Sequence, residues 1–129
     1  MSQSWQSYRS APYPGTRLVK EEELLPNSTR SLTLENEKGR FPLLLIKLES
    51  TLVAYVNACP HQYLPLDQRG KRILSQDGEL LRCTNHEASF LTRTGEGVGG
   101  HGLGCALDAV PVSVESDGWV VIGDPAQQR

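Results

Sequence analysis

Cys59-Pro60-His61-Gln62-Tyr63-Leu64-Pro65-Leu66-Asp67 is the stretch on which the reading of this chain turns, with its counterpart Cys83-Thr84-Asn85-His86. Each puts a thiol and an imidazole in one short loop, and a short loop cannot easily aim two ligands at different places. Residues 62–82 separate the two pairs. They contain Asp77-Gly78, a strong turn signal, flanked by Ile73-Leu74 and residues 79–83. That hairpin pattern can bring the two loops face to face. The set they form is two soft sulfur ligands and two nitrogen ligands.

Two metal groups fit such a set. One is a tetrahedral zinc held by two Cys and two His. The other is a [2Fe–2S] cluster in which two Cys hold one iron and two His hold the other. Zinc-finger spacings usually put Cys with Cys and His with His. Here each loop supplies one of each, which matches a two-iron site.

The rest of the chain sets bounds on that chemistry. It has 129 residues, 13 Lys+Arg against 15 Asp+Glu, and a formal net charge of −2. The length suits one domain, and the charge excludes a general nucleic-acid binder with a basic footprint. Hydrophobic residues make up 38%, a core small enough to need close packing or a staple. With 3 Cys, a fully paired disulfide framework within one chain is excluded. The first fifteen residues lack the basic start and apolar run of a secretory signal. The longest apolar stretch, Phe41-Pro42-Leu43-Leu44-Leu45-Ile46, falls far short of the roughly 20 residues that cross a bilayer. The expectation is a cytoplasmic protein with no membrane partner, in a compartment where paired Cys means metal or catalysis. The glycines of residues 95–104 do not follow a strand and open a helix, so no nucleotide fingerprint is present.

The pattern around the ligand loops is β. Residues 1–15 read as an irregular lead segment broken by Pro12, Pro14 and Gly15. A single domain follows over residues 16–129. Leu18-Val19 starts a strand, residues 21–25 suggest one helical turn stopped by Pro26, and residues 31–35 alternate as a half-buried strand. Residues 36–39 supply a turn, and residues 41–48 and 51–57 form β-rich runs across Glu49-Ser50. Residues 88–92 make another short strand. The six glycines at 95, 97, 99, 100, 102 and 104 predict a backbone-driven loop. Residues 110–114 and 119–122 flank Ser116-Asp117-Gly118, a second Asp-Gly turn. Short strands with turns between them predict an all-β antiparallel sandwich or barrel, with a ligand-bearing part of about residues 58–104 inserted into it.

With those residues in view, the chain resembles the soluble, low-potential Rieske-type [2Fe–2S] ferredoxins, over about residues 16–123. Cys-x-His…Cys-x-x-His is their signature. Residues 59–67 are similar to their first loop, Asp77-Gly78 and Leu81 to the hairpin before the second, and Phe90 to an aromatic four places after the second His. Pro111-Val112 and Asp117-Gly118-Trp119 resemble their closing strands. The resemblance implies a Rieske-like antiparallel β fold with an inserted cluster-binding subdomain, and Cys59, His61, Cys83 and His86 as cluster ligands. It also implies a one-electron carrier that is not catalytic alone. The donor would be a flavoprotein reductase, and the acceptor a terminal oxygenase or a nitrite-reductase-like enzyme.

The resemblance extends to subclass. Members in membrane-anchored cytochrome complexes have a disulfide Cys where this chain has Leu64, and Ser and Tyr where it has Ala88 and Phe90. Hydroxyl donors to sulfur stabilise the reduced form, so their absence implies a potential of roughly −150 mV rather than +300 mV. Three departures stand out: a longer interval over residues 62–82, Glu87 in place of a common Gly, and a Gly-rich third loop over residues 98–104 where Pro is usual. Rival readings of the same ligands are a zinc-stapled structural or interaction module and a cluster-based redox sensor. Elsewhere, Cys105 reads as a buried small hydrophobe, His101 as a turn residue and Trp119 as core. Glu21-Glu22-Glu23 reads as a solvated face, and Tyr63 and Leu64 as cover or docking surface beside His61.

Overall fold

The computed structural model describes residues 12, 13, 15–49, 51–58, 66, 73–83, 88–100 and 104–123. The strands are β1 (Arg17–Lys20), β2 (Ser28–Asn36), β3 (Gly39–Lys47), β4 (Leu52–Val56), β5 (Leu80–Arg82), β6 (Ser89–Leu91), β7 (Gly97–Gly99), β8 (Val112–Val114) and β9 (Trp119–Ile122). Among the described residues they form three antiparallel sheets, ordered β1-β9-β8, β2-β3-β4 and β5-β6-β7. A 3-10 turn, Glu21–Glu23, joins β1 to β2. No helix among the described residues is long and apolar enough to cross a membrane.

The β2-β3-β4 sheet is the middle layer. β2 and β3 pair without a break from Asn36↔Gly39 to Ser28↔Lys47. Their turn is fixed by Asn36, whose Oδ1 accepts a 2.7 Å hydrogen bond from the Lys38 N–H. The run Phe41 to Ile46 lacks a polar alternation because β3 is covered on both faces. Phe41, Leu43 and Leu45 enter one core with Val19, Ala54, Val56, Val120 and Ile122, against the β1-β9-β8 sheet. Leu44 and Ile46 enter a second core with Tyr55, Leu66, Leu81, Cys83, Ala88 and Phe90, against the β5-β6-β7 sheet. Successive β3 side chains thus serve opposite cores, and a one-residue slip would exchange them.

Three expectations are corrected. The glycine-rich stretch is not wholly loop, because Gly97–Gly99 is strand β7 and pairs with β6. A Cβ on Gly99 would lie 3.4 Å from that of Ser89 on β6. Trp119 belongs to neither core. It is half-buried, with the Arg17 guanidinium and the Lys20 ammonium each 5.4 Å from its ring centroid. Cationic ends packed on an aromatic face explain how this side chain is covered at the sheet surface. Cys105 is half-buried rather than buried, since its segment lies along the β7 edge, where its carbonyl accepts the Gly97 N–H at 2.8 Å.

Candidate metal centre

The turn that aims β5 is built locally. The Asp77 carboxylate accepts hydrogen bonds from the Ser75 hydroxyl at 2.6 Å and the Glu79 N–H at 3.0 Å. Those two donors, the Ser75 hydroxyl foremost, hold its carboxyl below the usual range. Gly78 takes φ +77°, a backbone that an L side chain rarely adopts. The chain then returns antiparallel: Leu74 bridges Leu81, and the Arg82 N–H donates to the Ile73 carbonyl at 2.7 Å.

Cys83 follows directly on β5. Its N–H donates to the Ala88 carbonyl at 3.0 Å, one step beyond the Arg82↔Ser89 pair. That bond carries the β5–β6 ladder one step further, to Cys83 and Ala88. The Cys83 thiol is free of any disulfide and only 4% exposed, in the core that also contains Leu66, Ala88 and Phe90. Of the four predicted ligands, Cys83 is the one the structure describes. Cys59, His61 and His86 lie outside the described residues, as do Leu64, Glu87 and His101.

Both ends of the first ligand loop are visible. Ala58 leaves the end of β4, and Leu66 returns to the core. Leu66 is fully buried, and its N–H donates to Asn57 Oδ1 at 2.9 Å. Leu66 from the first loop and Cys83 and Ala88 from the second thus pack into one core. Sequence reasoning did not single out Asn57. The available signal was an Asn at the end of a β-rich run, where an Asx side chain can capture a backbone N–H further on.

The described part of this centre holds one candidate sulfur ligand, the Cys83 thiol, in an apolar setting. Cys83 is an uncommitted thiol at the end of the β5–β6 ladder, three positions before His86 in the sequence. The side chains sharing its core are apolar, apart from the Tyr55 hydroxyl, which is spent on the Thr92 carbonyl at 2.6 Å.

The family model for the Rieske [2Fe-2S] domain matches residues 16–111. No curated protein sequence matches. Among solved structures, the chain is similar to the Sphingomonas yanoikuyae B1 ferredoxin at 25% identity, covering 86% of this chain and 99% of that one, with a TM-score of 0.63. It is also similar to the ferredoxin of carbazole 1,9a-dioxygenase from Nocardioides aromaticivorans IC177, at 16% identity over 86% and 98% of the two chains, with a TM-score of 0.67. A protein assigned as an NADH-dependent nitrite reductase small subunit from Mycobacterium tuberculosis matches at 16% identity over 83% and 91%, with a TM-score of 0.61. At the lower identities the likeness is one of fold.

Proposed function

The chain belongs to the Rieske [2Fe–2S] domain family, and we propose that it works as a one-electron carrier whose cluster is held by Cys59, His61, Cys83 and His86. The observation that carries the ligand assignment is the pairing of sequence and fold: both Cys/His pairs fall inside the matched domain, and Cys83 stands as a free thiol at the hairpin mouth. In this family's chemistry Cys59 and Cys83 would hold one iron, and His61 and His86 the other. Bound there, the group supplies reversible one-electron redox chemistry.

The chain's own residues set the environment of that group. Cys83 brings a sulfur out of water, and Ala88 and Phe90 offer it no hydroxyl. Fewer donors leave charge on sulfur less stabilised, which favours the low-potential end of the family's range. The protein is a component of a redox system rather than a catalyst alone. Two relatives point to the class of acceptor. One is by name the ferredoxin of a dioxygenase, and another is assigned to a nitrite reductase. We take the acceptor to be a terminal oxygenase or a nitrite-reductase-like enzyme, the donor to be a flavoprotein reductase, and the compartment to be the cytoplasm.

The test is direct. Purified protein should be red-brown, contain iron and acid-labile sulfide, and on reduction give a rhombic EPR signal averaging below the free-electron g. A colourless protein with stoichiometric zinc and no iron would instead establish the zinc-stapled module. His86→Cys should abolish the Rieske-type spectrum, and an unchanged spectrum would remove His86 from the ligand set. Reduction by a flavoprotein reductase followed by transfer to an oxygenase separates a carrier from a sensor.

A further inference from the structure

We propose that Asn57 is a positioning residue of the cluster site, because its side chain fixes the far end of the first ligand loop. The inference rests on the reading above, in which Cys59 and His61 are ligands. Among the described residues, the buried polar or charged side chains are those of Asn57 and Thr92. A buried amide persists where its hydrogen bonds are used, since an unused one costs desolvation. Asn57 Oδ1 is used on the Leu66 N–H, at 2.9 Å and nine positions along the chain.

The anchor itself is rigid. The Asn57 N–H donates to the Pro42 carbonyl of β3 at 3.0 Å, and the preceding Val56 N–H donates to the Asp108 carbonyl at 2.9 Å. The residue it captures is rigid too, since Leu66 is fully buried in the core that contains Cys83 and Ala88. The segment carrying Cys59 and His61 therefore leaves from one fixed point and returns to another, beside the second ligand loop. Fixing both ends removes loop conformations that would otherwise compete with metal ligation.

An apolar side chain of similar size would pack at position 57 but leave the Leu66 N–H without this acceptor. If packing were the whole role, Asn57→Leu would be harmless or stabilising. Asn57→Asp keeps the acceptor oxygen and should keep the function.

The experiment uses the cluster-loaded protein, with three readouts on wild type, Asn57→Leu and Asn57→Asp. These are iron release to a chelator, amide hydrogen exchange at Leu66 by mass spectrometry, and global stability by urea unfolding. Asn57→Leu is expected to release iron at least about tenfold faster than wild type. It should also speed exchange at Leu66 at a urea midpoint that does not account for the change. Asn57→Asp is expected to restore slow release and slow exchange. Wild-type release and exchange in Asn57→Leu would overturn the proposal, and so would an Asn57→Asp variant as leaky as Asn57→Leu. Should Asn57→Leu fail to fold, unprotected exchange at Leu66 in the wild type would overturn it, and slow exchange there together with tight iron in Asn57→Asp would support it. A wild-type protein lacking iron overturns the ligand reading itself. An iron-loaded wild type with an indifferent Asn57→Leu overturns this inference alone.

Discussion

The hydroxyl of Tyr55 donates a 2.6 Å hydrogen bond to the main-chain carbonyl of Thr92, across the buried boundary between the middle sheet and the sheet that leads into Cys83. Tyr55 lies in β4, and Thr92 directly follows β6. The rest of that boundary is apolar: Leu44 and Ile46 on one side, Leu81 and Phe90 on the other. Apolar packing is non-directional, so this bond gives the two layers a fixed relative position.

Tyr55→Phe keeps the ring and removes the bond, leaving the Thr92 carbonyl without its hydroxyl partner. The expected loss is about 1–2 kcal/mol, the cost of a buried acceptor left unpaired. Urea unfolding of the two proteins measures it. A variant as stable as wild type would show that the bond is not a net contributor.

The same hydroxyl makes stability depend on alkaline pH. Burial raises the Tyr55 pKa from 10.0 to about 12. Below pH 10 folded and unfolded chains both keep the proton, and the contribution is complete. Above it the unfolded chain releases its proton first, so stability falls as pH rises toward the folded value. Between pH 10 and 11, wild type should lose about 1 kcal/mol relative to Tyr55→Phe, in which other titrations cancel. The measurement is the difference in unfolding free energy at each pH.

Gly95 meets the same tyrosine. It takes φ +80°, and a Cβ there would lie 2.8 Å from Tyr55 Cε1 and 3.2 Å from the Leu107 carbonyl oxygen. Gly95→Ala should therefore cost about 2 kcal/mol or more, from backbone strain and a clash with a packed ring. A midpoint near wild type in urea would mean that the turn moves aside. Gly104, with φ +82° and nothing within 4 Å of a Cβ, is the control, since only the strain applies there.

These contacts mark where the sequence was readable. Asp77-Gly78 and Asp117-Gly118 announced their turns, because the backbone there needs a residue free to take positive φ, and Gly78 and Gly118 do so. The run Phe41 to Ile46 was legible as a strand. Its burial on both faces was not, because an unbroken apolar run does not say which neighbours cover it. The glycines of β7 suggested loop, because a glycine-rich run carries none of the apolar alternation by which a strand is read. The reason for Gly95 lies in a ring distant in sequence. Of the site, the candidate ligand pairs stand out in the sequence by their spacing, whereas Asn57 becomes visible only when Leu66 returns to it.

Thr92 offers a separate test. Its Oγ1 is buried and has no hydrogen-bond partner. Thr92→Val is nearly isosteric and leaves the main-chain bonds to Tyr55 and Glu79 in place. Removing an unsatisfied hydroxyl should leave stability unchanged or raise it by about 1 kcal/mol. A clear fall in the urea midpoint would mean that the hydroxyl holds an internal water.

The last prediction concerns the cluster's potential, and it follows from register. Arg82 pairs with Ser89, and the next step outward sets Cys83 opposite Ala88, with the Cys83 N–H on the Ala88 carbonyl at 3.0 Å. Directly opposed residues in an antiparallel ladder share a face, with Cβ atoms about 4.5–5.5 Å apart. Both of these side chains enter the same core. Ala88→Ser therefore sets a hydroxyl beside the Cys83 sulfur, where it can donate to a site that gains negative charge on reduction. That interaction is stronger in the reduced state, so the midpoint should rise by roughly tens of millivolts within the family's wide span. Phe90 shares this core and is fully buried, so Phe90→Tyr tests whether a second hydroxyl adds to the first, at a packing cost. Redox titration of the holoproteins reads both. A midpoint unmoved in Ala88→Ser would show that Cys83 is not a cluster ligand or that the new hydroxyl does not reach its sulfur. Loss of the EPR signal on Cys83→Ala separates those two outcomes.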